Sequence, residues 1–201
     1  MKMRTSLPTL VAFICLGWMS TARVVGQIIT NGGFEAGNFS GWSLLSDPQS
    51  FAHTLVRTAT TPTDIGIAPF EGSYFGTFSN NSPLASGFTQ TFSTVSGQSY
   101  ALSYWFTTTI GSDILNELKV TWNGGVLIDS VGFASLGTVW TNTTFLVTGT
   151  GSDTITFSGY QNSGWNGLDA VSLTAVPERS TYAALLGLTA LGIARWRRRR
   201  S

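Results

Sequence analysis

Carboxylates are the reactive groups this chain has in quantity. The stretch from Gln27 to Val176 carries nine, Glu35, Asp47, Asp64, Glu71, Asp113, Glu117, Asp129, Asp153 and Asp169, against two bases, Arg57 and Lys119. Two positive charges against nine negative ones leave that stretch at −7, while the whole chain is at +1 because its ends are basic. Carboxylate oxygens suit a glycosidase acid–base pair, set roughly 5–9 Å apart, or a divalent cation held by 6–8 oxygens. Nine scattered acids single out no such pair, and no catalytic residue is assigned. The one histidine, His53, lies in the alternating run Phe51-Ala52-His53-Thr54-Leu55. It has no second histidine for a zinc site and no nucleophile elbow beside it. The one cysteine, Cys15, lies near the start, so the body has neither disulfides nor thiol chemistry. An acidic body with two cations carries no footprint for nucleic acid.

The other residues capable of recognition are aromatic. The body holds Trp42, Trp105, Trp122, Trp140 and Trp165. Exposed indole faces can stack on pyranose rings, whereas buried ones are core. Trp165, with Tyr160, lies in the polar segment Tyr160-Gln161-Asn162-Ser163-Gly164-Trp165-Asn166. Trp105 falls on the face of its run opposite Tyr100, Leu102, Tyr104 and Phe106. These three, Trp165, Tyr160 and Trp105, are the candidate ligand-binding residues, and core placement is the competing assignment for each large ring.

The elements that must position these groups are strands. Leu118, Val120 and Trp122 alternate, Asn123-Gly124-Gly125 turns the chain, and Val126 and Ile128 resume the alternation, which predicts a hairpin. Val139 to Thr148 and Thr154 to Ser158 are β-branched and Thr-rich. Strands are expected near 27–30, 42–45, 51–57, 73–79, 87–92, 98–109, 115–122, 125–131, 138–148, 153–160 and 166–174, with Thr58 to Phe70 a loop. Regular short strands with turn signals predict an all-β fold, a jelly-roll β-sandwich spanning residues 27–175. About 150 residues bury enough surface to fold without staples.

The two ends read differently. Lys2 and Arg4 precede an apolar run from Leu7 to Met19 and then small residues, the order of a secretory signal peptide over residues 1–26. Cleavage after Gly26 or after Ala22 fits. At the other end an apolar run from Thr181 to Ala194 is followed by Arg195, Trp196, Arg197, Arg198, Arg199 and Arg200. As a helix the run covers about 21 Å, extended by Trp196 and by arginines that reach for the interface. The arginine cluster holds that end in the cytoplasm and leaves the body outside.

Residues 176–201 resemble the PEP-CTERM sorting tail, also catalogued as the ice-binding protein C-terminal motif. The resemblance rests on Val176-Pro177-Glu178-Arg179-Ser180, the apolar helix expected over 181–196 and the arginine cluster, in that order. Arg179 stands where the family has its second proline. The resemblance implies that an exosortase, a membrane-embedded cysteine transpeptidase, reads Pro177 and Glu178 and removes the helix. The chain would then pass transiently through the inner membrane to the outer surface or extracellular matrix.

The body resembles galactose-binding-like carbohydrate-binding jelly rolls at both its ends. Thr30-Asn31-Gly32-Gly33-Phe34-Glu35 matches their first strand and Leu168-Asp169-Ala170-Val171-Ser172-Leu173 their last, with Glu71-Gly72-Ser73-Tyr74 a mid-chain motif. That resemblance implies side-by-side terminal strands and a structural calcium ion shared by Glu35 and Asp169. If no ion binds, Glu35 caps a turn and Asp169 is solvated. The functional expectation is a non-catalytic, polysaccharide-binding module. A purely structural or adhesive surface protein is the alternative, and a glycan-active enzyme comes last.

Overall fold

The computed structural model describes residues 28–45, 54–58, 66–80, 85–109, 116–132, 139–162 and 164–177. The signal peptide expected over residues 1–26, His53 and the tail beyond Pro177 lie outside the described residues. Ten strands follow in order: β1 (Ser43–Leu44), β2 (Thr54–Thr58), β3 (Tyr74–Phe78), β4 (Ser86–Ser93), β5 (Ser99–Thr108), β6 (Glu117–Trp122), β7 (Gly125–Val131), β8 (Thr141–Thr148), β9 (Ser152–Gly159) and β10 (Asn166–Ala175). They form two five-stranded antiparallel sheets, ordered β1-β4-β9-β6-β7 and β2-β3-β10-β5-β8. The chain passes repeatedly from one sheet to the other, so neighbouring strands within a sheet are mostly distant in sequence, as a jelly roll requires.

Period-two alternation builds the core between the sheets. Tyr100, Leu102, Tyr104 and Phe106 of β5 point inward, as expected, against Leu118, Val120 and Trp122 of β6 and Ile155 and Phe157 of β9. The centre is aromatic. Phe88 meets Phe34, Phe78 and Trp42 edge-on at 5.4, 5.7 and 5.2 Å between centroids, and Tyr104 meets Phe157 edge-on at 5.0 Å. Each fully buried ring of this kind contributes roughly 1.5–3 kcal/mol. Trp42 and Trp122 belong to this core, and their indole N–H groups are satisfied by the carbonyls of Asn31 at 3.1 Å and Thr148 at 3.3 Å.

The strand expected at 27–30 does not form, because residues 28–33 are a series of turns. The segment nevertheless reaches the last strand, where Val171 N–H donates to Gly32 O at 3.0 Å. The main chains approach so closely that a Cβ on Gly32 would lie 1.9 Å from Val171 O. Gly32→Ala should therefore push the N-terminal segment off β10 and cost about 2 kcal/mol by overpacking. A lowered urea midpoint with an unchanged slope checks it.

A β-bulge in β10 prepares the site. The register with β5 shifts between Asp169 and Ser172, and Ala170 sits in the left-handed region at φ 48°. Bulges re-aim side chains. Here Val171 and Leu173 go on pointing into the core, while Asp169 lies opposite Trp105 on the other face of the sheet.

Candidate functional site

The outer face of the β2-β3-β10-β5-β8 sheet carries the aromatic residues that the core does not use. On β3, Phe75 and Thr77 alternate with the inward Tyr74 and Phe78, and on β5 Trp105 and Thr107 alternate with Tyr104 and Phe106. The loop leading into β3 lays Phe70 flat on Trp105, with centroids 3.8 Å apart and planes 14° apart. Trp140, just before β8, meets Phe70 at 6.4 Å and Phe75 at 5.7 Å, both edge-on, and its indole N–H donates to Ala68 O at 3.0 Å. Gly167 gives Trp140 its seat, since a Cβ there would lie 3.3 Å from the indole and 2.9 Å from Thr107.

Trp165 completes the group at the end of β5, where its main-chain N–H donates to Thr109 Oγ1 at 2.7 Å. The Arg57 guanidinium lies over the Trp165 ring, 4.1 Å from its centre, a cation–π contact. Arg57 Nε also donates to Thr77 Oγ1 at 3.2 Å, and that hydroxyl donates in turn to Leu55 O. Trp105 and Trp165 are both half-buried and share this outer face. Tyr160 follows β9 in the opposite sheet, and its carbonyl accepts from Glu117 N–H and from the Asn166 amide. Phe70, Phe75 and Trp140 were not among the sequence candidates. Phe75 alternates with Tyr74, but neither Phe70 nor Trp140 carries a local pattern that would place it over the sheet.

Beside the rings lies a carboxylate arrangement. Asp169 is not solvated, as the ion-free alternative expects, but fully buried, because main-chain donors replace water: its Oδ2 accepts the N–H groups of Phe70 at 2.9 Å and Glu71 at 3.2 Å. Its Oδ1 accepts Ala170 N–H at 2.7 Å. Burial pushes its pKa up to about 7. The hydrogen bonds from Glu71, Ala170 and Phe70 only partly offset that, and the neighbouring Glu71 charge adds to it.

Glu35 grips the same loop from the other side. Its carboxylate accepts Ser73 N–H at 3.0 Å and Tyr74 N–H at 3.0 Å. This approach requires Gly72, at φ 63°, because a Cβ there would lie 2.3 Å from Glu35 Oε1. The two carboxylates thus pin residues 70–74 between the N-terminal turns and β10, which brings the first and last segments of the body together as expected. Gly33 lies between the acids: the position of a Cβ on it is 3.7 Å from Asp169 Oδ1 and 3.9 Å from Glu71 Oε1. Among the described residues, no three His, Cys, Asp or Glu side chains are gathered as metal ligands. A cation here would need carbonyl oxygens as well as carboxylates.

No family model matches the chain, and no curated protein matches it. Solved structures do. The module TmCBM61, solved with β-1,4-galactotriose, superposes with a TM-score of 0.56 at 22% identity, over 75% of this chain and 99% of that one. The K1 cleaved adhesin domain of Lys-gingipain from Porphyromonas gingivalis W83 gives 0.54 at 15% identity, over 72% and 96%. The enzymatically active domain of tailspike protein 4 from bacteriophage CBA120 gives 0.51 at 19% identity, over 75% of this chain and 21% of its own. At these identities the likeness establishes the fold, an antiparallel two-sheet sandwich of the kind found in carbohydrate-binding modules.

Proposed function

We propose that this chain is an exported surface or matrix protein whose sandwich is a non-catalytic polysaccharide-binding module. The observation that carries the reading is the set of rings on one face of one sheet: Phe70, Trp105, Trp140 and Trp165, with the fully buried Phe75 beneath Trp140. A sandwich of this size fills its core without them, and stacked or edge-on rings on a sheet surface suit pyranose faces. Phe70 is the outermost ring and covers one face of Trp105. A sugar therefore stacks on Phe70 or takes its place on the indole.

The test is affinity electrophoresis of the folded protein through gels that contain single polysaccharides. One polysaccharide should retard it. Trp105→Ala and Trp165→Ala should each weaken that retardation about tenfold, the scale of one lost ring contact. Retardation unchanged by both substitutions would move the contact off this face, and turnover of a polysaccharide would make the chain an enzyme.

The same reading takes calcium as a structural ion. Asp169 fits the role because it is a fully buried carboxylate that, among the described residues, accepts main-chain N–H groups and pairs with no basic side chain. Asp169 Oδ1 and Glu71 would hold the ion together with carbonyl oxygens of the N-terminal turns. Glu35 would join by giving up an N–H partner. A cation there would add positive charge beside Asp169 and anchor the loop that carries Phe70.

Sorting is the remaining component. Val176 is strapped to β5, with its N–H donating to Ser99 O at 2.8 Å and its carbonyl accepting Gln98 Nε2 at 2.7 Å, and Pro177 is exposed just beyond. A membrane transpeptidase of the exosortase type would read the signal Val176 to Ser180, whose first residue is held on β5 and whose second is exposed. The helix expected over 181–196 and the arginines 195 and 197–200 lie outside the described residues.

A further inference from the structure

The geometry points to β8 as a strand-pairing edge through which two copies of this chain join, antiparallel, into one continuous sheet. An edge strand presents unpaired main-chain groups, and proteins blunt such edges with shortness, charge, proline or bulges. Three of the four edges here are blunted. The strand β1 has two residues, β2 has five and carries Arg57, and β7 carries Asp129 and pairs with β6 across a register shift. By contrast β8 has eight residues, Thr-Asn-Thr-Thr-Phe-Leu-Val-Thr, with no charge and no proline, and its register with β5 is unbroken.

The hydrogen-bonding direction follows from the turn at its end. Gly149 N–H donates to Gln98 O, on the β5 side. With a period of two, Val147, Phe145, Thr143 and Thr141 also turn their main-chain groups to β5. Asn142, Thr144, Leu146 and Thr148 therefore turn theirs outward. Among the described residues, only the Trp122 indole donates to one of these groups, Thr148 O. Leu146, on the outer face, is 75% exposed, the most exposed large apolar side chain among the described residues, and Val139 beside the strand is 65% exposed.

The occupant is a second copy because the edge is self-complementary. Centred on Phe145, antiparallel pairing sets Thr144 of one copy opposite Leu146 of the other and Asn142 opposite Thr148. That forms roughly eight main-chain hydrogen bonds. It brings no charge against charge, although each body is strongly acidic. The two-fold axis is perpendicular to the sheet, so both aromatic faces lie on the same side. Two linked sites on one polymer would then bind with avidity.

The test uses the full chain with Cys15→Ser, so that introduced thiols are the only ones. Chains with Thr144→Cys and chains with Leu146→Cys, carrying distinguishable tags, are mixed and oxidised. The expected product is mainly the mixed disulfide dimer, since facing residues in an antiparallel pair are within disulfide reach. Val126→Cys, on the exposed face of β7, reports association through the termini or by collision. In parallel, Leu146→Lys should raise the dimer dissociation constant in sedimentation at least tenfold, with the melting temperature unchanged. Cross-linking no higher than at position 126, or dimerisation indifferent to Leu146→Lys, overturns the proposal.

Discussion

Asp153→Ala is expected to lower the free energy of unfolding by about 4 kcal/mol, far more than a typical single substitution. Asp153 is fully buried at the start of β9, one residue after Ser152, and joins three separate turns. Its carboxylate accepts the Thr94 hydroxyl, the Asn123 amide at 2.5 Å, and both the main-chain N–H, at 3.0 Å, and the hydroxyl, at 2.7 Å, of Thr150. Alanine would leave four donors without their acceptor, each an expense of about 1–3 kcal/mol when buried and less where water can enter. The same bonds explain its acidity. Burial raises the pKa, but the donors from Thr94, Asn123 and Thr150 outweigh it and hold the carboxyl at about 2.

A depressed folded-state pKa stabilises the protein above the ordinary carboxylate value, and that stability is lost as pH falls through the folded value. The wild type should therefore lose stability between about pH 4 and pH 2, and Asp153→Asn should lose that part of the slope. The asparagine amide would also set a donor against Thr150 or Asn123, so it should not restore full stability at neutral pH. Urea unfolding at pH 6 and pH 3 checks both points. A loss below about 1 kcal/mol for Asp153→Ala would mean that water replaces the carboxylate at these turns.

The contrast between this staple and the strands around it shows where sequence reading works. Alternation put Tyr100, Leu102, Tyr104 and Phe106 on one face and Trp105 on the other, and that division holds, because a strand with one buried face must keep a period of two. The hairpin at Asn123-Gly124 was legible for the same local reason: both residues have positive φ, 52° and 79°, which that dipeptide tolerates. Residues 27–30 read as a strand, but Gly32 approaches β10 by a single main-chain bond and the segment turns instead. Asp153 carried no signal, since beyond the local Thr150 its partners Asn123 and Thr94 come from turns 30 and 59 residues away in sequence. The aromatic face was half legible. Trp105 and Trp165 could be singled out by face and context, while Phe70 and Trp140 reach the sheet only through the close-packed route of a loop and a β8 approach that no local pattern encodes.

Asp169 should produce the opposite pH dependence from Asp153, and calcium should reverse it. Its folded pKa of about 7 lies well above the ordinary carboxylate value of about 3.9. A raised folded value means that the stability contribution is complete below about pH 4 and is lost as pH rises to about 7, where the folded protein must ionise a buried carboxyl that the unfolded chain ionised already. In chelator, stability should therefore fall across that window by up to about 4 kcal/mol, at 1.36 kcal/mol per pKa unit. Asp169→Asn should flatten the profile, because the amide oxygen still accepts Phe70 and Glu71 N–H and carries no charge. Calcium binds the ionised form only. At pH 8 it should raise the melting temperature of the wild type, leave Asp169→Asn unmoved, and release a proton at pH 6 as the ion displaces it. The retardation of the protein by its polysaccharide should follow the same ion, since Asp169 holds the main chain of Phe70 and Phe70 lies on Trp105. A pH slope that persists unchanged with calcium present would leave Asp169 as a buried acid held by main-chain donors alone, and the cation would have to be withdrawn from the function proposed for this site.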